Sequence, residues 1–180
     1  MNAQITLVLG GARSGKSAVA ERLAASFASP GSPVVYVATG PSPSDDADWA
    51  ARVAAHRARR PAAWSTVEVG PGGDLDAALA SASGPVLVDS LGTWVTGLAG
   101  FGADGGPAAA LCDRLVARRA SGSPTVVVSE EVGMSVHPES PLGRDFRDAL
   151  GDLNQDVARV ADVVQLVVAG RVLTLGPAHP

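Results

Sequence analysis

The sequence predicts an α/β domain with a mostly parallel sheet and flanking helices. Three observations predict it: short, nearly unbroken apolar runs recur along the chain, helical patterns separate them, and the first run breaks into a glycine-rich turn that opens directly into a helix. At 180 residues the chain suits one well-buried core and is too short for two ordinary domains, so residues 1–180 read as a single domain.

Taken in order, the run at 5–9 is β-branched and aliphatic, then gives way to Gly10 and Gly11. A helical pattern starts at Lys16 and puts Val19, Leu23 and Phe27 on one face. The runs at 33–38, 85–88, 125–129 and 163–168 lack the alternation of half-exposed strands and read as strands buried on both faces. Helical patterns over 45–59, 74–82, 108–120 and 141–160 fill the intervals, the first with Ser44 as cap and Asp45 and Asp46 facing the helix dipole. Ala169-Gly170 between two β-rich runs predicts a tight hairpin and an antiparallel edge strand. The segment "GLAGFGADGGP" at 97–107 is too glycine-rich for a stable element and reads as a mobile lid or surface loop. No internal repeat or domain-sized linker interrupts the pattern.

Composition narrows the function classes. A net charge of −4 supplies no basic face, which argues against nucleic acid as partner. The lone Cys112 leaves no intramolecular disulfide and suits a reducing compartment. No leader-like segment precedes Ile5, and no apolar run approaches the ~20 residues of a membrane span, so a soluble, cytoplasmic protein without membrane insertion is expected.

The chemistry begins in "LVLGGARSGKSAVAERLA". Gly10, four residues, then Gly15, Lys16 and Ser17 has the spacing of a phosphate-binding loop, whose glycines let backbone N–H groups turn inward around an anion. The helix N-terminus adds its dipole, Lys16 can reach the outer phosphates, and the Ser17 hydroxyl can sit on Mg²⁺. Lys16 is the only lysine in the chain. In a parallel sheet ligands collect at the C-terminal strand ends, where Asp89 follows one apolar run and Ser129, Glu130 and Glu131 another. Asp89 reads either as a holder of Mg²⁺ or as a cap for the segment after it. The paired glutamates can bind metal, accept a proton or cap. Farther along, Trp49, Val53 and His56 share one helical face, with Arg52 adjacent and Arg57, Arg59 and Arg60 following. Two readings stay open: a nucleophilic imidazole beside phosphate clamps, or an amphipathic contact with a solvated basic tail.

The blocks "GGARSGKS" (10–17), "YVATG" (36–40), "RVAAHRARRPAAW" (52–64) with Glu68, "DSLGTWVTGL" (89–98), "EEVGMSVHPESPLGRDFRDALGDLNQDVA" (130–158) and "VVQLVVAG" (163–170) occur in an order that resembles the bifunctional adenosylcobinamide kinase / adenosylcobinamide-phosphate guanylyltransferase family. The resemblance spans essentially the whole chain and implies a RecA-like P-loop NTPase fold. It implies an enzyme of adenosylcobalamin nucleotide-loop assembly that phosphorylates adenosylcobinamide with ATP or GTP, then passes GMP from GTP to that phosphate through a GMP-histidine. His56 matches the family histidine and Lys16 the loop lysine. By the same matching, Gly10, Gly11, Ala12, Arg13, Ser14, Gly15, Lys16, Ser17, Ala38, Thr39, Gly40, Arg57, Ala58, Arg59, Arg60, Glu68 and Asp89 are expected to contact nucleotide, with Ser17 and Asp89 on Mg²⁺. A homotrimer with sites between subunits is implied, placing Trp94 and the 97–107 loop at an interface. Some positions depart from the family pattern: Ala55 precedes His56 where a second histidine is common, Glu130 stands where asparagine is common, and Ser90 where cysteine is common. Neither Glu130 nor Ser90 takes a role from the resemblance, and His137 and His179 are expected in loops without one.

Overall fold

A computed structural model of the protein describes residues 3–42 and 47–177. Ser44, Asp45, Asp46 and His179, and the cap expected at the first of them, lie outside the described residues, as do the side chains of Trp49 and Arg52. In chain order the elements are β1 (Ile5–Gly10), α1 (Lys16–Phe27), β2 (Val35–Ala38), α2 (Ala47–Arg59), β3 (Ser65–Glu68), α3 (Leu75–Ser81), β4 (Val86–Asp89) and α4 (Leu91–Val95). A 3₁₀ turn (Ala99–Gly102) then leads to α5 (Gly106–Ala120), β5 (Thr125–Glu130), α6 (Pro141–Val160), β6 (Val163–Val168) and β7 (Arg171–Leu175).

The strands of the described residues form one sheet in the order β3-β2-β4-β5-β1-β6-β7. Every pairing is parallel except β6 with β7, the antiparallel edge the sequence predicts. The unbroken apolar runs have a physical reason here, since successive side chains of one strand enter two different cores. Ile5, Leu7, Leu9, Val37, Val86, Val88 and Val127 face a large core closed by α3, α4, α5 and α6. Val8, Tyr36, Leu87, Val126 and Val128 face a thinner one closed by Val19, Ala20 and Ala24 of α1. Alanines on α1 allow that helix to lie close to the strands.

Three differences from the sequence reading have local causes, and the expected hairpin gains a second role. β3, "STVE", is short, largely exposed and polar, so no apolar run announces it; it forms because β2 offers an open edge. The segment after Asp89 winds into α4, and the expected loop at 97–107 contains the 3₁₀ turn before α5 starts at Gly106, earlier than expected, with Pro107 in its first turn. Trp94, expected at an interface, lies buried in its own core, and its indole N–H donates to the Gly73 carbonyl (2.9 Å). Ala169 and Gly170 both take positive φ (51° and 73°), giving a two-residue turn whose Gly170 N–H donates to the Ser14 carbonyl (2.8 Å). The hairpin therefore backs the glycine-rich loop as well as ending the sheet.

Buried Arg118 ties this frame together. From α5 its guanidinium donates to the Leu79 carbonyl of α3 (2.9 Å), to the Ala82 and Gly84 carbonyls (both 2.7 Å) and to the Thr125 hydroxyl of β5 (3.0 Å). Burial pushes its pKa down to about 10, so it stays charged at neutral pH. No helix among the described residues is long and apolar enough to cross a membrane.

Candidate active site

The sheet order puts three strand ends side by side: β1, leading into the glycine-rich loop, then β5, ending in Glu130, then β4, ending in Asp89. Helix α2 stands over this edge, and between them lies a cleft of about 690 Å³. Residues 12–17 form its floor. Gly15 has φ +92°, a left-handed conformation that a residue with a Cβ rarely adopts, and it delivers the chain into α1 at the required angle. Asp74 caps α3 and Ser140 caps α6 through side-chain oxygens, but α1 has no side-chain cap and no acid in its first turn. Apart from the Lys16 N–H, which donates to the Ser14 hydroxyl (3.3 Å), the N–H groups of its first turn and its dipole are open to an anion from outside the helix.

Asp89 is the hub. It accepts from the Tyr36 hydroxyl (2.7 Å) and the Ser17 hydroxyl (3.4 Å), and its Oδ2 lies 3.6 Å from His56 Nδ1. Burial drives its carboxyl upward, but the nearby His56 imidazole and the bonds from Tyr36 and Ser17 outweigh it and hold the pKa below the ordinary carboxylate value. Burial and the neighbouring carboxylate push the Tyr36 phenol far above its usual range, so it remains a donor. The Asp89–Ser90 peptide is cis.

Three arginines at the end of α2 are engaged. Arg57 pairs with Glu68 (2.9 Å), Arg59 with Glu21 of α1 (3.1 Å), and Arg60 lies over the Tyr36 ring (3.3 Å to the centroid) while donating to Thr66. Among the described residues the buried Arg60 Nε has no hydrogen-bond partner. Lys16 Nζ sits 3.4 Å from both the Gly11 carbonyl and Glu130 Oε1.

The cleft thus gathers Ala12 to Ser17, Ala38, Gly40, His56, Arg57, Arg59, Arg60, Glu68 and Asp89 from the sequence-derived set. Gly10, Gly11, Thr39 and Ala58 do not line it. Gly10 closes buried β1, and Ala58 faces solvent. Thr39 is wholly buried, its hydroxyl joined to the Ser90 carbonyl (2.6 Å) and Thr93 (2.8 Å), so it fixes the start of α4. Sequence reasoning gave no role to Tyr36 or Thr93 and left three open for Glu130; all three residues line it. Tyr36 carried one signal: it is the only tyrosine of the chain and sits on an apolar run.

Such an arrangement can hold a polyphosphate, neutralise it with Lys16 and α1, and present an oriented imidazole to it. Comparison with known proteins agrees in order and extent. The bifunctional adenosylcobalamin biosynthesis protein CobP of Pseudomonas aeruginosa is 39% identical over 91% of this chain and 92% of its own length. The proteins named bifunctional adenosylcobalamin biosynthesis protein CobU from Escherichia coli K12 and Salmonella typhimurium are 38% and 37% identical, each over 91% of this chain and 95% of their own. A family profile described as cobinamide kinase / cobinamide phosphate guanyltransferase matches residues 6–175, from the glycine-rich loop through the terminal hairpin, and the chain belongs to that family.

Proposed function

We propose that the chain phosphorylates the terminal hydroxyl of adenosylcobinamide from ATP or GTP and then transfers GMP from GTP to that phosphate through a GMP-histidine at His56. The observation that carries this reading is the shared carboxylate: Asp89 touches both Ser17 of the phosphate loop and His56 of α2. One bound triphosphate is thereby exposed to loop chemistry at its outer end and to an imidazole along its length.

In the first step the loop positions the triphosphate, Lys16 neutralises charge, the substrate hydroxyl oxygen bonds to the γ-phosphorus, and the β–γ bridge breaks with release of a proton and a nucleoside diphosphate. In the second, Asp89 on the Nδ1 side leaves Nε2 as the attacking atom of His56. A P–N bond forms at the α-phosphorus as pyrophosphate leaves. The cobinamide phosphate oxygen then takes the GMP and the P–N bond breaks. Arg57 and Arg59 act by exchanging their carboxylate partners for phosphate, and Arg60 adds its charge from its place over the Tyr36 ring.

Ser17 Oγ and Asp89 Oδ1 lie 3.4 Å apart, two hard oxygen donors at the loop, and no cluster of three or more His, Cys, Asp or Glu occurs among the described residues. This suits Mg²⁺ arriving with the nucleotide, not a caged ion, and when bound it would neutralise phosphate charge. We further read the chain as one cytoplasmic domain working as a homotrimer, without nucleic-acid or membrane partners, on the strength of the resemblance and the acidic composition.

Incubation with GTP labelled in the α-phosphate tests the central claim. Label is expected to survive denaturation and alkali, leave in mild acid, and be absent in His56→Ala; no covalent label under turnover refutes the guanylyl half. A cobinamide product that gains phosphate and then GMP separates this reading from a nucleotide-sensing module that transforms nothing.

A further inference from the structure

Among the described residues, Glu130 is the one acid that the fold presses directly against the loop lysine. It closes β5 opposite Gly10 in register, so its carboxylate emerges beside the loop. That carboxylate accepts from the Ser90 hydroxyl (2.9 and 3.0 Å) and the Gly92 N–H (3.0 Å), and Oε1 faces Lys16 Nζ at 3.4 Å. Its backbone is fixed as well, the Glu130 carbonyl accepting from Asn154 and the Glu131 N–H donating to the Gly10 carbonyl. A Cβ at position 92 would meet Oε2, so glycine there leaves the carboxylate room to lie against the Gly92 N–H. The site thus holds a carboxylate, through Ser90 and Gly92, against the loop lysine.

We propose that Glu130 is an internal counter-anion for the loop lysine, a positioning residue that parks Lys16 in the nucleotide-free enzyme and that a triphosphate must displace. The inference rests on reading the cleft as a triphosphate site. Its physical content is a competition. Lys16 cannot give full charge to the β- and γ-phosphates while paired with Glu130, and the carboxylate remains nearby to repel them and to recapture the ammonium when the diphosphate or pyrophosphate leaves. A nucleoside monophosphate, having no outer phosphates, does not contest Lys16 and should be indifferent to Glu130.

Calorimetric binding of GTP and GMP to the whole protein tests this. The Glu130→Gln amide keeps an acceptor for the Gly92 N–H, and the Ser90 hydroxyl can turn to accept from its NH₂. GTP should bind about three- to tenfold more tightly in Glu130→Gln, somewhat above what an exposed ion pair contributes because this pair is largely shielded, with GMP unchanged. In a Lys16→Met background most of that gain should disappear. Equal or weaker GTP binding, an equal gain for GMP, or a full-sized gain without Lys16 would each overturn the proposal. Lys16→Met separately reports on the underlying reading: if it leaves GTP affinity intact, the triphosphate site itself is wrong. If it weakens GTP while Glu130→Gln does nothing, only the counter-anion role fails.

Discussion

Replacing Arg118 by methionine removes a buried guanidinium and keeps much of its aliphatic bulk. Of its four bonds, those to the Leu79 carbonyl and the Thr125 hydroxyl are fully buried, whereas those to Ala82 and Gly84 reach partly accessible carbonyls that water can satisfy. Two buried partners left unmatched at about 1–3 kcal/mol each give roughly 2–6 kcal/mol. Relief from holding a charge out of water offsets part of this, so a net loss of about 2–4 kcal/mol is expected. For a chain of this size that lowers the melting temperature by about 5–15 °C. Urea titration followed by tryptophan fluorescence measures it. The neighbouring Arg119 provides the contrast, because it pairs with Asp162 in a half-exposed bridge, and Arg119→Met should cost less than about 1 kcal/mol. An Arg118→Met variant no less stable than Arg119→Met would refute the view that this side chain braces the end of α3 against β5. GTP binding at a temperature where the variant is folded should be nearly unchanged, since Arg118 lies outside the cleft.

Further expectations follow from the Asp89 hub and from the lone cysteine. Tyr36→Phe keeps the ring beneath Arg60 and removes the donor 2.7 Å from Asp89, so it should cost about 1–3 kcal/mol in urea and slow GMP-histidine formation; unaltered labelling would dismiss Tyr36 from the site. Because the folded pKa of Asp89 is depressed, its stabilising contribution is present above the unfolded value near 3.8 and is lost as pH falls through the folded value. Asp89→Asn should accordingly be less stable than wild type at neutral pH, with the gap closing in acid; a gap constant across that range contradicts the assignment. Burial pushes the Cys112 thiol up, so iodoacetamide should label it far more slowly in the native protein than in urea, and equal rates would place the thiol in the open.

The strand–loop–helix at the start was legible because spacing, glycine placement and the single lysine all speak locally, and α6 kept its expected bounds because its apolar stripe runs over its full length. His56 carried two readings in the sequence, and its place 3.6 Å from Asp89 was illegible there because it joins residues on different elements. β3 was invisible because its stability comes from a neighbour's edge, not from its own apolar residues. Thr39 was assigned to nucleotide by matching a motif, yet motif position does not say which way a side chain points, and its hydroxyl serves α4. Glu130 was seen at a strand end with its options open; only the register with Gly10 shows whose neighbour it is.

The partners of β1 give the molecule an order of assembly. The first strand made pairs only with β5 and β6, and the loop that follows it rests on the Gly170 N–H of the terminal turn. During synthesis the loop-bearing segment therefore waits for both of its neighbouring strands until residues 125–168 have followed. A chain broken off before residue 125 holds the complete glycine-rich motif and no strand to set its shape. The shape of the loop thus depends on strands and a turn that lie more than 100 residues further along the sequence.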